Sequence, residues 1–244
     1  MAVININRRD ITFFEYLHTC KVATTKQINR DVFQTSHATC YQRLQKYLEA
    51  KLIKHAPTDR KRDHSFAYEV TPKGEKIIKR SLSGMLNGSR FKSNSMAHDL
   101  RLVDIRNVLM SRGLVKEYYT ENQIQTYTDF RTEAELLPYQ ELQSDAVMML
   151  EKEGVKPIYV AIEYEASLKT KSRYRDKLRR FYYSRATALF YICESKSLER
   201  KLRKIEEEVI KDSNRRIYYI TAEEFFRSQE FVTFTGREGL KFEV

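Results

Sequence analysis

The chain has 244 residues, 41% hydrophobic and 32% charged, with 44 Lys and Arg against 33 Asp and Glu for a formal net charge of +11. That length suits two modest domains; no apolar run is long enough to cross a bilayer, the start MAVININRRD lacks the apolar core of a signal peptide, and Cys20, Cys40 and Cys193 are too few and too scattered for a disulfide framework or a zinc site, so a reducing cytoplasm is expected. Residues 1–95 hold 18 Lys and Arg against 8 Asp and Glu while residues 96–244 hold 26 against 25, so the excess that points to a polyanionic partner sits in the first part.

Taken in order, Ile11, Phe14, Tyr16, Leu17 and Cys20 recur at helical spacing and predict a first helix over Arg8–Cys20, with Phe13 leaning inward. Thr24 or Thr25 caps a second, short helix running through Ile28, Val32 and Phe33. After a turn at Gln34 and Thr35, Ser36 caps a third helix whose inner stripe is Cys40, Leu44, Tyr47 and Leu48. His37, Thr39, Tyr41, Gln42, Arg43 and Lys46 are left wholly or partly outward. Leu52–His55 and Phe66–Val70 read as strands joined by a tip carrying Arg60, Lys61 and Arg62, and Pro72 opens a further helix. Three helices followed by a basic-tipped hairpin is the order of a winged helix-turn-helix. Lys51 stands where many such domains have Gly before the first wing strand, which predicts a different turn. In such a domain the third helix enters the major groove, with its polar side chains on base edges and the wing cations on phosphates. The competing use of this fold, protein contact, fits the charge less well.

Residues 1–80 are therefore assigned to a winged-helix DNA-binding domain, the Ser-, Gly- and Asn-rich residues 81–95 to a linker and residues 96–244 to a second domain. Met96–Met110 is predicted helical, with Leu100, Val103, Ile105, Val108 and Leu109 inward and His98 and Asp99 at its start. Leu114–Tyr127 reads as one or two strands, and residues 130–140 as loop. Further on, Ala188–Cys193 and Ile217–Ile220 read as buried strands. Leu198, Leu202, Ile205 and Val209 form a stripe on one helix, Ala222–Arg227 makes a short helix, and the tail supplies edge strands. Strands alternating with helices indicate an α/β domain.

The chemistry concentrates in residues 143–183. Asp145 precedes the apolar run Ala146–Leu150, Glu151–Pro157 reads as a hairpin turn, and Ile158–Ile162 returns as a strand ending in Glu163 and Glu165. Residues two apart on a strand share a face, and an antiparallel partner brings Asp145 alongside them. Neighbouring carboxylates repel one another, and a hard divalent cation relieves that repulsion, which makes Asp145 and Glu163 candidate ligands for Mg²⁺ or Mn²⁺. The alternative is that Glu163 and Glu165 sit on a solvated strand end or are neutralised by the cations that follow. Those cations, Lys169, Lys171, Arg173, Arg175, Lys177, Arg179 and Arg180, sit on or just before a helix whose buried side is Tyr174, Leu178, Phe181 and Tyr182.

An Asp opening a hairpin, an acidic-x-Lys on the next strand and a following helix are the core of the PD-(D/E)XK nuclease superfamily, which this stretch resembles through Asp145, Glu163 and Glu165. Ser144 stands where the superfamily often has Pro, and Glu165 where it usually has the Lys that positions or activates water, although some restriction endonucleases of the superfamily use Glu there. Lys169 or Lys177 is the candidate substitute. The combination of winged helix, His98-Asp99-Leu100 helix start, hairpin and the Lys177-Leu178-x-x-Phe181-Tyr182 helix resembles, over most of the chain, the replication-relaxation family of bacterial and mobile-element DNA-binding proteins.

That resemblance implies a winged helix followed by a restriction-endonuclease-like mixed α/β domain, in an α+β chain that binds double-stranded DNA in plasmid or mobile-element replication, mobilisation or transcription regulation. The DNA contacts expected are Ser36, His37, Thr39, Tyr41, Gln42, Arg43, Lys46, Arg60, Lys61 and Arg62, joined by Lys171 and Arg173 beside the carboxylates. The nuclease-like domain is expected not to cleave. The alternatives are a metal-dependent endonuclease or nickase using Asp145, Glu163, Glu165 and Lys169, and a module that recruits replication or mobilisation proteins. A second copy of the chain is a further candidate partner, and a membrane is not.

Overall fold

The computed structural model describes residues 5–57, 66–81, 95–210 and 216–244. Contacts divide the chain into two compact units, residues 1–107 with 126–128, and residues 108–125 with 129–244.

In the first unit, α1 (Arg8–Cys20) begins where Asn7 accepts the Asp10 N–H and the Asp10 carboxylate accepts the Asn7 N–H, satisfying two orphan donors reciprocally. Thr24, at the end of β1 (Ala23–Thr24), makes the same exchange with Gln27 at the start of α2 (Thr25–Ile28). The expected second helix then continues as a π-helical turn over Asn29–Phe33. Ser36 caps α3 (His37–Glu49), and β2 (Ile53–His55), β3 (Ala67–Val70) and α4 (Pro72–Ser81) follow. β3 lies between β1 and β2, antiparallel to both, so the two expected strands gain a third that its two-residue length had hidden. The basic tip with Arg60, Lys61 and Arg62 and linker residues 82–94 lie outside the described residues.

The core of this unit is aromatic. Phe13 stacks on Tyr47 with ring centroids 5.0 Å apart and on Phe33 at 5.3 Å. Burying Tyr47 removes its hydroxyl from water, so it needs a polar partner inside. It donates to buried Asp10, and Arg43 Nε donates to both the Tyr47 hydroxyl (2.9 Å) and Asp10 Oδ1 (3.0 Å). A second set of polar contacts gathers on Asp31, which accepts from Tyr16 (2.7 Å), Arg30 (2.5 Å) and Asn107 (3.1 Å). Asn107 belongs to α5 (Met96–Met110), whose residues through Asn107 count with this unit.

Two carbonyls left open at the end of α3 are closed by a reversed turn: the Lys51 N–H reaches the Leu48 carbonyl (2.9 Å) and the Leu52 N–H the Tyr47 carbonyl (2.9 Å). Lys51 takes φ +58, the left-handed conformation that glycine ordinarily supplies there. The expectation of a different turn is corrected: the turn is the glycine one, made by a lysine.

The second unit is a seven-stranded mixed sheet. β4 (Val115–Thr120) leads into α6 (Glu121–Thr126), then α7 (Asp129–Thr132), α8 (Leu137–Leu142), β5 (Ala146–Leu150), β6 (Ile158–Glu165), α9 (Lys171–Tyr183), β7 (Ala188–Cys193), α10 (Lys196–Val209), β8 (Arg216–Thr221), α11 (Ala222–Arg227), β9 (Thr233–Thr235) and β10 (Lys241–Glu243). The strand order is β10-β9-β8-β7-β6-β5-β4; β6, β7 and β8 run parallel, and the other neighbours pair antiparallel. Parallel neighbours need a crossover, which α9 and α10 provide. Leu198, Leu202 and Ile205 are buried under α10, as their spacing predicts.

Two expectations are overturned here. Only the first half of residues 114–127 is strand, because the Thr120 N–H donates to the Gln123 carboxamide (3.0 Å) and starts a helix. Residues 130–140, expected as loop, contribute to α7 and α8, with Pro138 in the first turn of α8 where its missing N–H costs nothing.

Lys51→Gly is expected to raise the stability of the chain by about 0.5–1 kcal/mol, the cost of holding a side chain in the left-handed region, measured as a higher midpoint in urea with an unchanged slope. An unchanged or lower midpoint would contradict this reading of the turn.

Candidate functional site

The β5–β6 hairpin fixes the site. Gly154, at φ +74, allows the turn that the Val155 N–H closes onto the Lys152 carbonyl (3.0 Å). The register that results pairs Ala146 with Ile162 and so sets Asp145 opposite Glu163, as the sequence predicts. Across the parallel side, Glu163 pairs with Tyr191 and Glu165 with Cys193, so both glutamates stand on an inner strand. Each is 2% exposed.

Cations reach both. Lys177 Nζ lies 2.5 Å from Glu163 Oε1 and donates to the Gln143 carbonyl at 3.1 Å. Gln143 presents that carbonyl because it ends α8 in the left-handed conformation, at φ +52. Lys169 Nζ lies 2.9 Å from Glu165 Oε2, which also accepts from the Tyr174 hydroxyl at 3.2 Å. Asp145 Oδ2 accepts the Tyr164 N–H at 2.8 Å. The three carboxylates and two lysines line one cavity of about 410 Å³, with Glu121, Arg173 and Arg180 also in its wall.

Sequence reasoning placed Asp145, Glu163, Glu165, Lys169, Lys177 and Arg173 near one another, counted Arg180 among the cations of the following helix, and missed Glu121 and Tyr174 as a carboxylate partner. The signal for Glu121 was the Thr120-x-x-Gln123 pattern, which opens a helix and not a strand. Lys171 is bound 2.8 Å from Glu208. On α5, Asp99 pairs with Lys21 (3.5 Å) and Asp104 with Arg30 (2.9 Å).

On α3, Ser36, His37, Thr39, Tyr41, Gln42 and Lys46 are exposed, as predicted. Arg43 is half-buried, its guanidinium bound to Asp10.

The family model described as replication-relaxation matches residues 14–191, a span that takes in α3, the β5–β6 hairpin and α9. The chain belongs to the replication-relaxation family. No curated protein and no solved structure matches it.

Whether this replication-relaxation protein offers a seat to the divalent cation implied by the nuclease resemblance is decided by its donors. The Lys177 ammonium stands against Glu163, Lys169 against Glu165, and one Asp145 oxygen is taken by a backbone N–H. Among the described residues no three His, Cys, Asp or Glu side chains converge as a metal-binding group. So arranged, the donor set does not fit the ion, and lysine ammonium groups do the neutralising.

Burial pushes the Glu163 carboxyl up to about 8; Lys177 opposes that shift, and Asp145 and Glu165 add to it. A carboxyl whose pKa is raised on folding contributes stability that is complete below the ordinary glutamate range and is lost as pH rises through the folded value. Wild-type melting temperature is therefore expected to fall relative to Glu163→Gln between about pH 5 and about pH 9. Parallel curves for the two proteins would show that Glu163 is ionised throughout.

Proposed function

We propose that this replication-relaxation protein is a sequence-specific double-stranded-DNA-binding protein, acting in replication, mobilisation or transcription control of a plasmid or other mobile element, whose nuclease-like unit does not cleave. The observation that carries the DNA reading is the placement of an exposed polar α3 face in the part of the chain holding 18 Lys and Arg against 8 Asp and Glu. Its element order is that of a winged helix-turn-helix, in which α3 enters the major groove. There Gln42 has the carboxamide geometry that matches adenine N6 and N7, while His37, Thr39 and Tyr41 line the same approach. Arg60, Lys61 and Arg62 serve as phosphate contacts. The non-cleaving reading is supported by Lys177 and Lys169, which neutralise the carboxylates that a nuclease would keep for an ion. Replication or mobilisation proteins and a second copy of the chain are the protein partners that suit this role, in the cytoplasm.

Replacing Arg60, Lys61 and Arg62 together by Ala is expected to weaken binding to all duplexes alike and to reduce the slope of log affinity against log salt by about 2.7, since each phosphate contact contributes about 0.9. Gln42→Ala is expected to cost about 1–3 kcal/mol on the preferred site and to relax its sequence. Gel-shift titrations with the full chain check both, and absence of duplex binding would end this reading.

Supercoiled plasmid incubated with the protein and Mg²⁺ or Mn²⁺ is expected to stay intact. The second reading, a metal-dependent endonuclease or nickase, draws on the meeting of Asp145, Glu163, Glu165 and Lys169 in one cavity. Nicking that disappears in Asp145→Ala and Glu163→Ala, with DNA affinity retained, would establish it in place of the first.

A further inference from the structure

The cations of α9 fall into two sets. Lys171 and Arg175 share Glu208, at 2.8 and 2.9 Å, and Lys177 holds Glu163. Arg173, Arg179, Arg180 and, just past the helix, Arg185 are exposed and make no ion pair or side-chain hydrogen bond among the described residues. Among them sits Tyr183, at 82% the most exposed large apolar side chain of the described residues. The helix buries Tyr174, Leu178 and Phe181. At 100° per residue, Tyr183 falls on the side opposite those three. Arg179 and Arg180, four and three residues before it, flank the ring on that outer surface. Asp176 is the exposed acid on this face and stands one further turn back.

Tyr183 does not serve the core: one edge meets Tyr182 with ring centroids 5.2 Å apart, and most of the ring faces solvent. An aromatic ring held out among unpaired guanidinium groups has the chemistry of a single-strand surface, where bases stack on rings and cations follow the backbone. Duplex bases are already stacked on both faces and leave nothing for such a ring to take. We infer that the outer face of α9 binds single-stranded nucleic acid, with an unpaired base stacked on Tyr183 and the backbone phosphates met by Arg179, Arg180 and Arg185. Arg173 and Arg180, which also border the carboxylate cavity, would carry the strand past its mouth. This site is separate from the duplex-reading face assigned to α3 and does not depend on it.

The test is fluorescence anisotropy of the full chain with a labelled oligothymidylate of about 20 nucleotides, long enough to cover one such binding surface, beside a labelled mixed-sequence duplex. Tyr183→Ala is expected to weaken oligothymidylate binding about tenfold and leave duplex binding unchanged, while Tyr183→Trp restores it. Replacing Arg179 and Arg180 together by Ala is expected to flatten the single-strand salt dependence by about 1.4, each phosphate contact contributing about 0.7. Because these side chains are exposed, thermal melts of all the variants should overlay the wild type. Failure to bind oligothymidylate, an unchanged affinity in Tyr183→Ala, or equal losses on single strand and duplex would each overturn the inference. Duplex binding that survives in any of these cases would leave the role of α3 standing.

Discussion

The second unit depends on keeping two buried carboxylates, Glu163 and Glu165, at the end of an inner strand. An ionised carboxylate in such a place is too costly to remain alone, so it takes up a proton or a counter-charge. At Glu163, burial pushes the carboxyl pKa up and Lys177, set against it, opposes that rise. That need constrains much of the surroundings. β6 is where the sheet changes from antiparallel to parallel pairing, so the chain leaving it must cross over, and the crossover helix carries Lys177 back across the carboxylates. The left-handed end of α8 presents the Gln143 carbonyl to the same ammonium.

One helix thereby answers to two demands. Its inner side buries Tyr174, Leu178 and Phe181, and Lys177 beside them reaches Glu163. Its outer side is under no such demand, and Arg173, Arg179 and Arg180 there make no ion pair among the described residues. In composition all these cations look alike. What separates them is angle about the helix axis, since a residue can meet a buried carboxylate only from the side that faces the sheet.

The first unit shows the same economy at α3. Asp10 caps α1, accepts from the buried Tyr47 hydroxyl and binds Arg43. Arg43 therefore acts on the orientation of α3 relative to α1, whereas Gln42, one residue earlier, is turned to solvent. On our reading, base contact falls to Gln42 and its exposed neighbours, and Arg43 positions the helix that carries them. Without that aspartate, the buried Tyr47 hydroxyl in the stack of Phe13, Phe33 and Tyr47 would lose the acceptor for its proton.

Much of this was written in the chain itself. Periodicity located α1, α3, α10 and the β5–β6 hairpin, because amphipathic spacing and turn residues act locally and need no knowledge of the rest of the fold. The alternation of β6 and the length of the hairpin turn were enough to set Asp145 beside Glu163 and Glu165. Local patterns failed where an element was short or its start signal was overlooked, as at β1, at α6 with its Thr120 and Gln123 cap, and at α7 and α8. Other features were beyond their reach altogether. Lys51 adopts a glycine conformation because packing and hydrogen bonds at the end of α3 over-determine the turn. Which lysine meets which glutamate, and which arginine is consumed by Asp10, depends on partners tens of residues apart whose meeting is fixed only by helix rotation and strand register. The sequence thus determined the elements, their order and the residue types gathered at the site, while the tertiary structure alone decided which charges were spent on one another and which stayed free to bind.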